Sequence, residues 1–431
     1  MLLDEVFELL PNGYSSGSDI EPEAEELDSD VWWRKQILGK AYNNRGYLYW
    51  ANGRYGVAFD DFRHALGYFR QIDLEDERAN TLTNLAYVMA LLGRVDTAKY
   101  HIERALEIRE RLDKTRRYTI ALSKNTRGLV YSMGDLFDIG IRECREALDI
   151  CEEVKEWRGI GMARNALGFS LRRRGEEWKK GELVYTIESA ETDFAEAEEN
   201  LLRAIDIFSG PDGKSDSGSV TEPIRLWEAH NELGSLYCDW AYLTRQQKDL
   251  SRAAIQYKDS IAHQKKALEI AEEKNLSFQI TDSHDDLAQA YRDYGDLLID
   301  INDPVKAASY RTEAEKYLTK IEAELIPKEY QLKEAGTDFS DTALLSESGV
   351  AYWQSLGRVY LQRGVWEAHK LERREVTFGE RPESTRRCIR YLAISFVYFQ
   401  QYGPQSSHVD KIIWAFTRRL DSFASFTRNG A

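Results

Sequence analysis

Cysteine, proline and long apolar runs are all scarce in this sequence. The 431 residues include only 4 Cys and 8 Pro, and no stretch of about 18 apolar residues occurs anywhere. The start of the chain also lacks the basic segment of a signal peptide. The cysteines are too scattered for a disulfide framework or a CxxC-type zinc site, so we expect them to be reduced, buried thiols: Cys144, Cys151, Cys238 and Cys388. These absences predict a cytoplasmic protein without a membrane span.

The signatures of catalytic, nucleotide and metal sites are missing or incomplete. The 7 histidines show no HExxH spacing, and no serine lies in a GxSxG motif. Gly210 to Ser215 resembles the end of a phosphate-binding loop, but Phe208 stands where the first glycine is required. His284-Asp285-Asp286 is too short to define a metal site. We therefore predict a protein that is not an enzyme and has no catalytic residues, metal or cofactor.

Charge is distributed unevenly along the chain. The net charge is -15, yet residues 1–30 contain ten acidic residues and no Lys or Arg, and the segment from Arg363 onward is basic. No long basic stripe is present, which argues against nucleic acid as the main ligand. Residues 1–30 are predicted to be a short helix, Leu2 to Leu10, followed by an acidic linker.

What the sequence does contain is a repeated spacing of small and aromatic residues. From Gly46, an aromatic residue follows after three positions, Gly53 after seven, and Ala, Phe and Ala after twelve, sixteen and nineteen. The small residue that begins each copy is Gly46, Ala86, Gly128, Gly168, Gly234, Ala288 or Gly357. Such spacing lets two antiparallel helices cross closely. It predicts an all-α, right-handed superhelical solenoid of antiparallel helix pairs, with about seven repeats and a C-terminal helical cap.

The repeats divide the chain into four regions. Residues 1–30 precede the array, 31–160 hold the regular repeats 1 to 3, and 161–320 hold repeats 4 to 6 with insertions. Residues 321–431 are expected to form a degenerate seventh repeat and capping helices, around Ile389 to Phe396 and Ile412 to Leu420. Glycines are expected to occupy the turns between helices with positive φ: Gly53, Gly93, Gly175 and Gly295.

The pattern around Gly46, Tyr49, Gly53 and Ala98 resembles tetratricopeptide repeats over residues 36–320. The long repeats are similar to those of kinesin light chains and of the sensor arms of prokaryotic signal-transduction (STAND) ATPases. The resemblance implies a scaffold or sensor arm that binds a protein or peptide in its concave groove. It leaves open a regulatory role within a larger signalling or defence protein, a fused or adjacent ATPase module, and a homo-oligomer.

The resemblance also places one residue per repeat in the groove, three positions before the small residue. Four of these seven residues are Asn, and a carboxamide can both donate to and accept from a peptide backbone. With neighbouring aromatic and charged side chains, the predicted groove set is Asn43, Asn44, Tyr47, Trp50, Asn84, Tyr87, Asn125, Asn165, Phe169, Arg172, Asn231, Asp285 and Arg358. Two alternatives stay open: the Asn side chains bond to neighbouring repeats or cap local backbone, or groove aromatics such as Trp50 hold a small molecule.

Overall fold

The computed structural model describes residues 29–112, 117–180, 185–210, 222–334, 350–372, 377 and 379–402, and these residues form fourteen α-helices without a strand. The helices are α1 (Ser29–Ala51), α2 (Tyr55–Gln71), α3 (Glu75–Leu91), α4 (Val95–Leu112), α5 (Arg117–Met133), α6 (Phe137–Val154), α7 (Trp157–Gly175), α8 (Ile187–Phe208), α9 (Pro223–Gln246), α10 (Leu250–Glu273), α11 (Ser277–Asp300), α12 (Pro304–Glu334), α13 (Val350–Glu372) and α14 (Arg381–Tyr402). A short 3₁₀ helix, Glu176–Lys180, follows α7. The predicted all-α class is confirmed.

Consecutive helices pack as pairs, from α1 with α2 to α13 with α14, and each pair packs on the next. The described residues therefore contain seven helix pairs, which confirms the predicted solenoid of seven repeats. The segment around Ile389 belongs to α14, the second helix of the seventh pair. The predicted helix at Ile412 to Leu420, the segment 1–28 and the loop at 211–219 lie outside the described residues.

Small residues lie where the two helices of a pair cross. A Cβ atom on Gly46 of α1 would lie 2.8 Å from Phe62 Cε1 of α2, and one on Gly168 of α7 would lie 2.6 Å from Leu201 Cγ of α8. Both distances are shorter than a van der Waals contact, so a larger side chain would push the helices apart. The repeated small residue is thus a packing feature of each pair.

The turn glycines agree with the prediction in two of four cases. Gly53 and Gly93 have φ of 71° and 75° and end the turns after α1 and α3. The prediction is wrong for Gly175 and Gly295, which do not have positive φ: Gly175 is the last residue of α7, and Gly295 lies inside α11. After α11 the residue with positive φ is Asn302, at 62°. At the expected turns α7 continues directly into the 3₁₀ helix and α11 runs on to Asp300, and both glycines face the partner helix instead.

The first repeat contacts the sixth, which closes the superhelix into a ring. Gln279 Nε2, near the start of α11, donates to the carbonyl oxygen of Ala51 at the end of α1, over 2.7 Å. The rings of Tyr55 and Phe278 meet edge to face, with centroids 5.7 Å apart. A Cβ atom on Gly53 would lie 2.8 Å from Phe278 Cβ. We call these contacts between Ala51–Tyr55 and Phe278–Gln279 the seam.

Replacing Gly53 with Ala should destabilise the protein by about 2 kcal/mol, since alanine both resists positive φ and overlaps Phe278. A double-mutant cycle separates the two causes. In a Phe278→Gly background, which removes the Cβ atom as well as the ring, the cost of Gly53→Ala should fall to about 1 kcal/mol, the backbone part alone. Denaturant unfolding of the four proteins measures this, and an equal cost in both backgrounds would show that the seam does not press on Gly53.

Candidate functional site

The ring surrounds a cavity of 2370 Å³, lined mainly by the odd-numbered helices. All thirteen residues of the predicted groove set lie on its wall: Asn43, Asn44, Tyr47, Trp50, Asn84, Tyr87, Asn125, Asn165, Phe169, Arg172, Asn231, Asp285 and Arg358. The repeat spacing predicts this placement, because the first helix of every pair presents the same face to the cavity. Their role in binding stays a prediction.

At the start of the array the polar side chains bond to one another across repeats. Asn84 Nδ2 of α3 donates to Asn43 Oδ1 of α1 over 3.2 Å. The hydroxyl oxygens of Thr83 on α3 and Ser123 on α5 are 2.7 Å apart. For these positions the structure matches the alternative in which the ladder joins neighbouring repeats.

Further along, the Asn side chains behave differently. The side-chain oxygens Oδ1 of Asn125, Asn165 and Asn231 are buried and have no hydrogen-bond partner within the described residues. These residues lie on α5, α7 and α9, three successive first helices, and Asn125 is only 4% exposed. Buried side-chain oxygens are nearly always hydrogen-bonded, and leaving one unpaired costs about 1–3 kcal/mol. Three successive first helices therefore each present to the cavity an acceptor that the described residues leave unpaired.

Aromatic side chains crowd the wall formed by the first two repeats. Trp50 lies between Tyr47 and Tyr87, with ring centroids 5.0 and 5.8 Å away. The Arg225 guanidinium of α9 lies over the Trp50 ring at 5.1 Å. Trp50 is consequently only 8% exposed and serves as a contact between the first and fifth repeats.

A buried ion cluster joins α7, the 3₁₀ helix and α9. Arg172 of α7 pairs with Glu232, with Asp239 at 2.8 Å and with Glu176 at 3.7 Å. Lys179 pairs with Asp239 at 2.9 Å and Glu176 at 3.0 Å. Burial lowers the pKa of Lys179, but the Asp239 and Glu176 carboxylates outweigh it and leave the pKa raised. Arg172, predicted as a groove cation, is thus engaged by carboxylates of the cavity wall.

On the opposite side, α11 presents carboxylates to the cavity. Asp282 and Asp285 both pair with Arg358 of α13, and the Asp285 contact measures 3.5 Å. Burial raises the pKa of Asp285 to about 6 despite the guanidinium. Burial, and then the neighbouring Asp282 and Asp285, raise the pKa of Asp286 well above its usual range. Arg358 thus pairs with two of these three carboxyl groups, and the Asn231 side chain hydrogen-bonds the third, Asp286.

Several wall residues were not predicted. Glu232 and Asp286 follow Asn231 and Asp285 directly, at the position that Asn44 and Asn84 occupy in earlier repeats, so the same register would have identified them. Trp178 and Lys179 come from the 3₁₀ helix, part of the insertion after Gly175. The repeat spacing makes no prediction for an inserted segment, so it could not place Trp178 and Lys179 on the cavity wall.

Within the part of the chain that the structure describes, no three His, Cys, Asp or Glu side chains are placed to hold a metal ion. No helix there is long and apolar enough to cross a membrane. All four cysteines are buried and none forms a disulfide, as the sequence predicts.

The first two repeats also match a known sequence family. Residues 38–111, which span most of α1 and all of α2 and α3 up to the end of α4, match the model of the tetratricopeptide repeat. The remaining five helix pairs repeat the same packing. The protein contains tetratricopeptide repeats. Repeats of this kind typically form non-catalytic scaffolds that present a concave binding surface.

Comparison of the tetratricopeptide array with solved structures gives distant neighbours. BtubC (BKLC) from P. vanneervenii is 16% identical, with a TM-score of 0.39, over 67% of this chain and 92% of that chain. A Rap protein complexed with competence and sporulation factor is 15% identical, with a TM-score of 0.42, over 71% and 80%. Yeast Tom70 is 10% identical, with a TM-score of 0.16, over 91% and 97%. No curated protein matches the sequence significantly.

Proposed function

We propose that this tetratricopeptide protein is a non-catalytic scaffold that binds an extended protein or peptide segment inside its ring. The observation that carries the proposal is the set of three buried, unpaired Oδ1 atoms of Asn125, Asn165 and Asn231 on the cavity wall. Each can accept a hydrogen bond from a peptide N–H, and the carboxamide nitrogens of Asn125 and Asn165 can donate to a peptide carbonyl. The Asn231 side chain already donates to Asp286.

The spacing of these residues suits an extended chain. Packed helices lie about 8–10 Å apart, and an extended peptide rises about 3.3 Å per residue. Side chains on successive first helices would therefore meet roughly every third residue of the peptide. Such a ladder holds the backbone and leaves sequence preference to the side chains around it.

Two features favour a polymer over a small molecule. The cavity volume of 2370 Å³ exceeds the range of about 300–1,000 Å³ that is usual for small-ligand pockets. Trp50, the residue best suited to stack on a small ligand, is covered by Arg225, Tyr47 and Tyr87. The small-molecule alternative thus lacks an available aromatic surface at this position.

The seam supports a role as a sensor arm. Because the first and sixth repeats touch, a segment bound inside the ring would favour either the closed or an opened ring, and so couple binding to shape. In this proposal the array reports the presence of its ligand to a larger signalling assembly.

The test is peptide selection followed by calorimetry. Twelve-residue peptides selected from a random display library on the intact protein should bind with one site per chain. Asn125→Ala with Asn165→Ala should weaken that binding by about tenfold or more, since each lost hydrogen bond contributes about 1 kcal/mol. The melting temperature should stay close to that of the wild type, because neither Oδ1 bonds to the described protein.

A matched control is Gln36→Ala with Gln71→Ala, two carboxamides of α1 and α2 that do not line the cavity. Their removal should leave peptide affinity unchanged. Failure to select any peptide, or equal affinity for the wild type and the Asn125/Asn165 double variant, would refute the proposal.

A further inference from the structure

The carboxylates of α11 form an acidic cluster with an incomplete set of counter-charges. Asp282, Asp285 and Asp286 line the cavity within one helical turn, and Arg358 is the cation that contacts Asp282 and Asp285. Arg292, the other cation near this cluster, pairs with Asp293 at 2.8 Å. Burying carboxylates without enough cations is costly, so a cation from outside would relieve the cluster.

One unpaired buried oxygen lies within this cluster, and a second lies at the seam end of the same helix. Asp285 is 5% exposed, and its Oδ1 has no hydrogen-bond partner among the described residues. Gln279 is 4% exposed and lies one turn before Asp282, on the same face of α11. Its Nε2 is used by the seam, but its Oε1 is unpaired within the described part of the chain. Together these two oxygens offer acceptors that the described residues do not use.

The surroundings suit the alkyl part of a long basic side chain. Phe278 lies four residues before Asp282, and its ring meets Tyr55 across the seam. Burial, and then the nearby Asp282 carboxylate, raise the pKa of Tyr55 well above its usual range, which places this phenol beside the acidic cluster. Aromatic rings next to carboxylates favour a cation on a hydrocarbon stem.

We infer that Asp282, Asp285 and Asp286 form a subsite for the ammonium or guanidinium group of a basic residue in the bound peptide. The inference rests on the proposed peptide-binding function and adds its charge preference. A Lys or Arg of the ligand would enter between α11 and α13 and share the carboxylates with Arg358.

The experiment uses three pools of fluorescein-labelled octapeptides, with uncharged residues at seven positions and Lys, Gln or Glu at the fourth. Each pool is equilibrated with the intact protein, and binding is measured by fluorescence anisotropy. The Lys pool should bind about tenfold more tightly than the Gln pool, and the Glu pool more weakly still. Asp282→Asn with Asp285→Asn should remove the difference between the Lys and Gln pools.

The matched control is Asp149→Asn with Asp206→Asn, which removes two exposed carboxylates outside the cavity and should keep the preference for the Lys pool. Circular dichroism melting establishes that each variant folds. A second variant, Arg358→Gln, removes the internal competitor and should increase the preference.

Equal binding of the Lys and Gln pools by the wild type, or a full preference in the Asp282/Asp285 variant, would overturn the subsite and leave peptide binding itself intact. Absence of binding by all three pools would instead count against both proposals. Free spermidine serves as a further competitor: tighter binding of spermidine than of the Lys pool would assign the cluster to a free amine and overturn the peptide assignment.

Discussion

Replacing Arg172 with Met is expected to lower the free energy of unfolding by about 3–5 kcal/mol. Arg172 is the central cation of the buried cluster and contacts Glu232, Asp239 and Glu176 at once. Methionine fills similar space but leaves these carboxylates buried with too few cations. Urea unfolding followed by circular dichroism measures the loss, and hydrogen exchange should show it first in α7 and α9, which Arg172 joins.

A surface ion pair provides the control for this effect. Arg145 of α6 contacts Glu196 of α8 over 2.6 Å, but its side chain is half exposed. Arg145→Met should therefore cost no more than about 1 kcal/mol. Adding Glu232→Gln to Arg172→Met should restore part of the lost stability, because it removes one unpaired carboxylate. Equal effects of the two Arg substitutions would mean that the Arg172 cluster is solvated like the surface pair.

Much of this architecture follows from local sequence periodicity. Helix pairing is encoded by small residues such as Gly46 and Gly168, whose spacing can be read without knowing the fold. The same spacing fixes which side of each first helix faces inward, and this is why Asn125 and Asp285 could be placed on one wall. Periodic positions were predictable because each depends only on its own repeat and its neighbours.

Features that depend on distant parts of the chain were not predictable in this way. The seam between Ala51 and Gln279 joins residues 228 positions apart, and it depends on the accumulated curvature of six repeats. Helix ends were not predictable from the repeat spacing either: Gly175 ends α7, packs against Phe194 and is followed directly by the 3₁₀ helix, where the repeat pattern predicts a turn. Whether each Asn side chain is hydrogen-bonded also depends on its tertiary contacts. Asn43 Oδ1 accepts a hydrogen bond from Asn84, whereas Asn125 Oδ1 is unpaired among the described residues.

A leucine in place of Gly128 should destabilise the array by about 3 kcal/mol, through overpacking. Gly128 of α5 faces Gly140 and Cys144 of α6, at the closest crossing of the third pair. Even a Cβ atom at position 128 would lie 2.9 Å from the Gly140 carbonyl oxygen, and a backbone atom cannot turn away as a side chain can. The two helices would have to separate, and because each repeat stabilises its neighbours, the second and fourth pairs should lose stability as well.

The control for Gly128→Leu is a helical glycine with open space around it. A Cβ atom on Gly67 of α2 would meet nothing within 4 Å, so Gly67→Ala should stabilise the protein by about 0.5–1 kcal/mol through helix propensity alone. Thermal and denaturant unfolding of both variants should thus shift in opposite directions. If Gly128→Leu melts like the wild type, α5 and α6 do not cross at this glycine, and the repeat register derived from it is wrong.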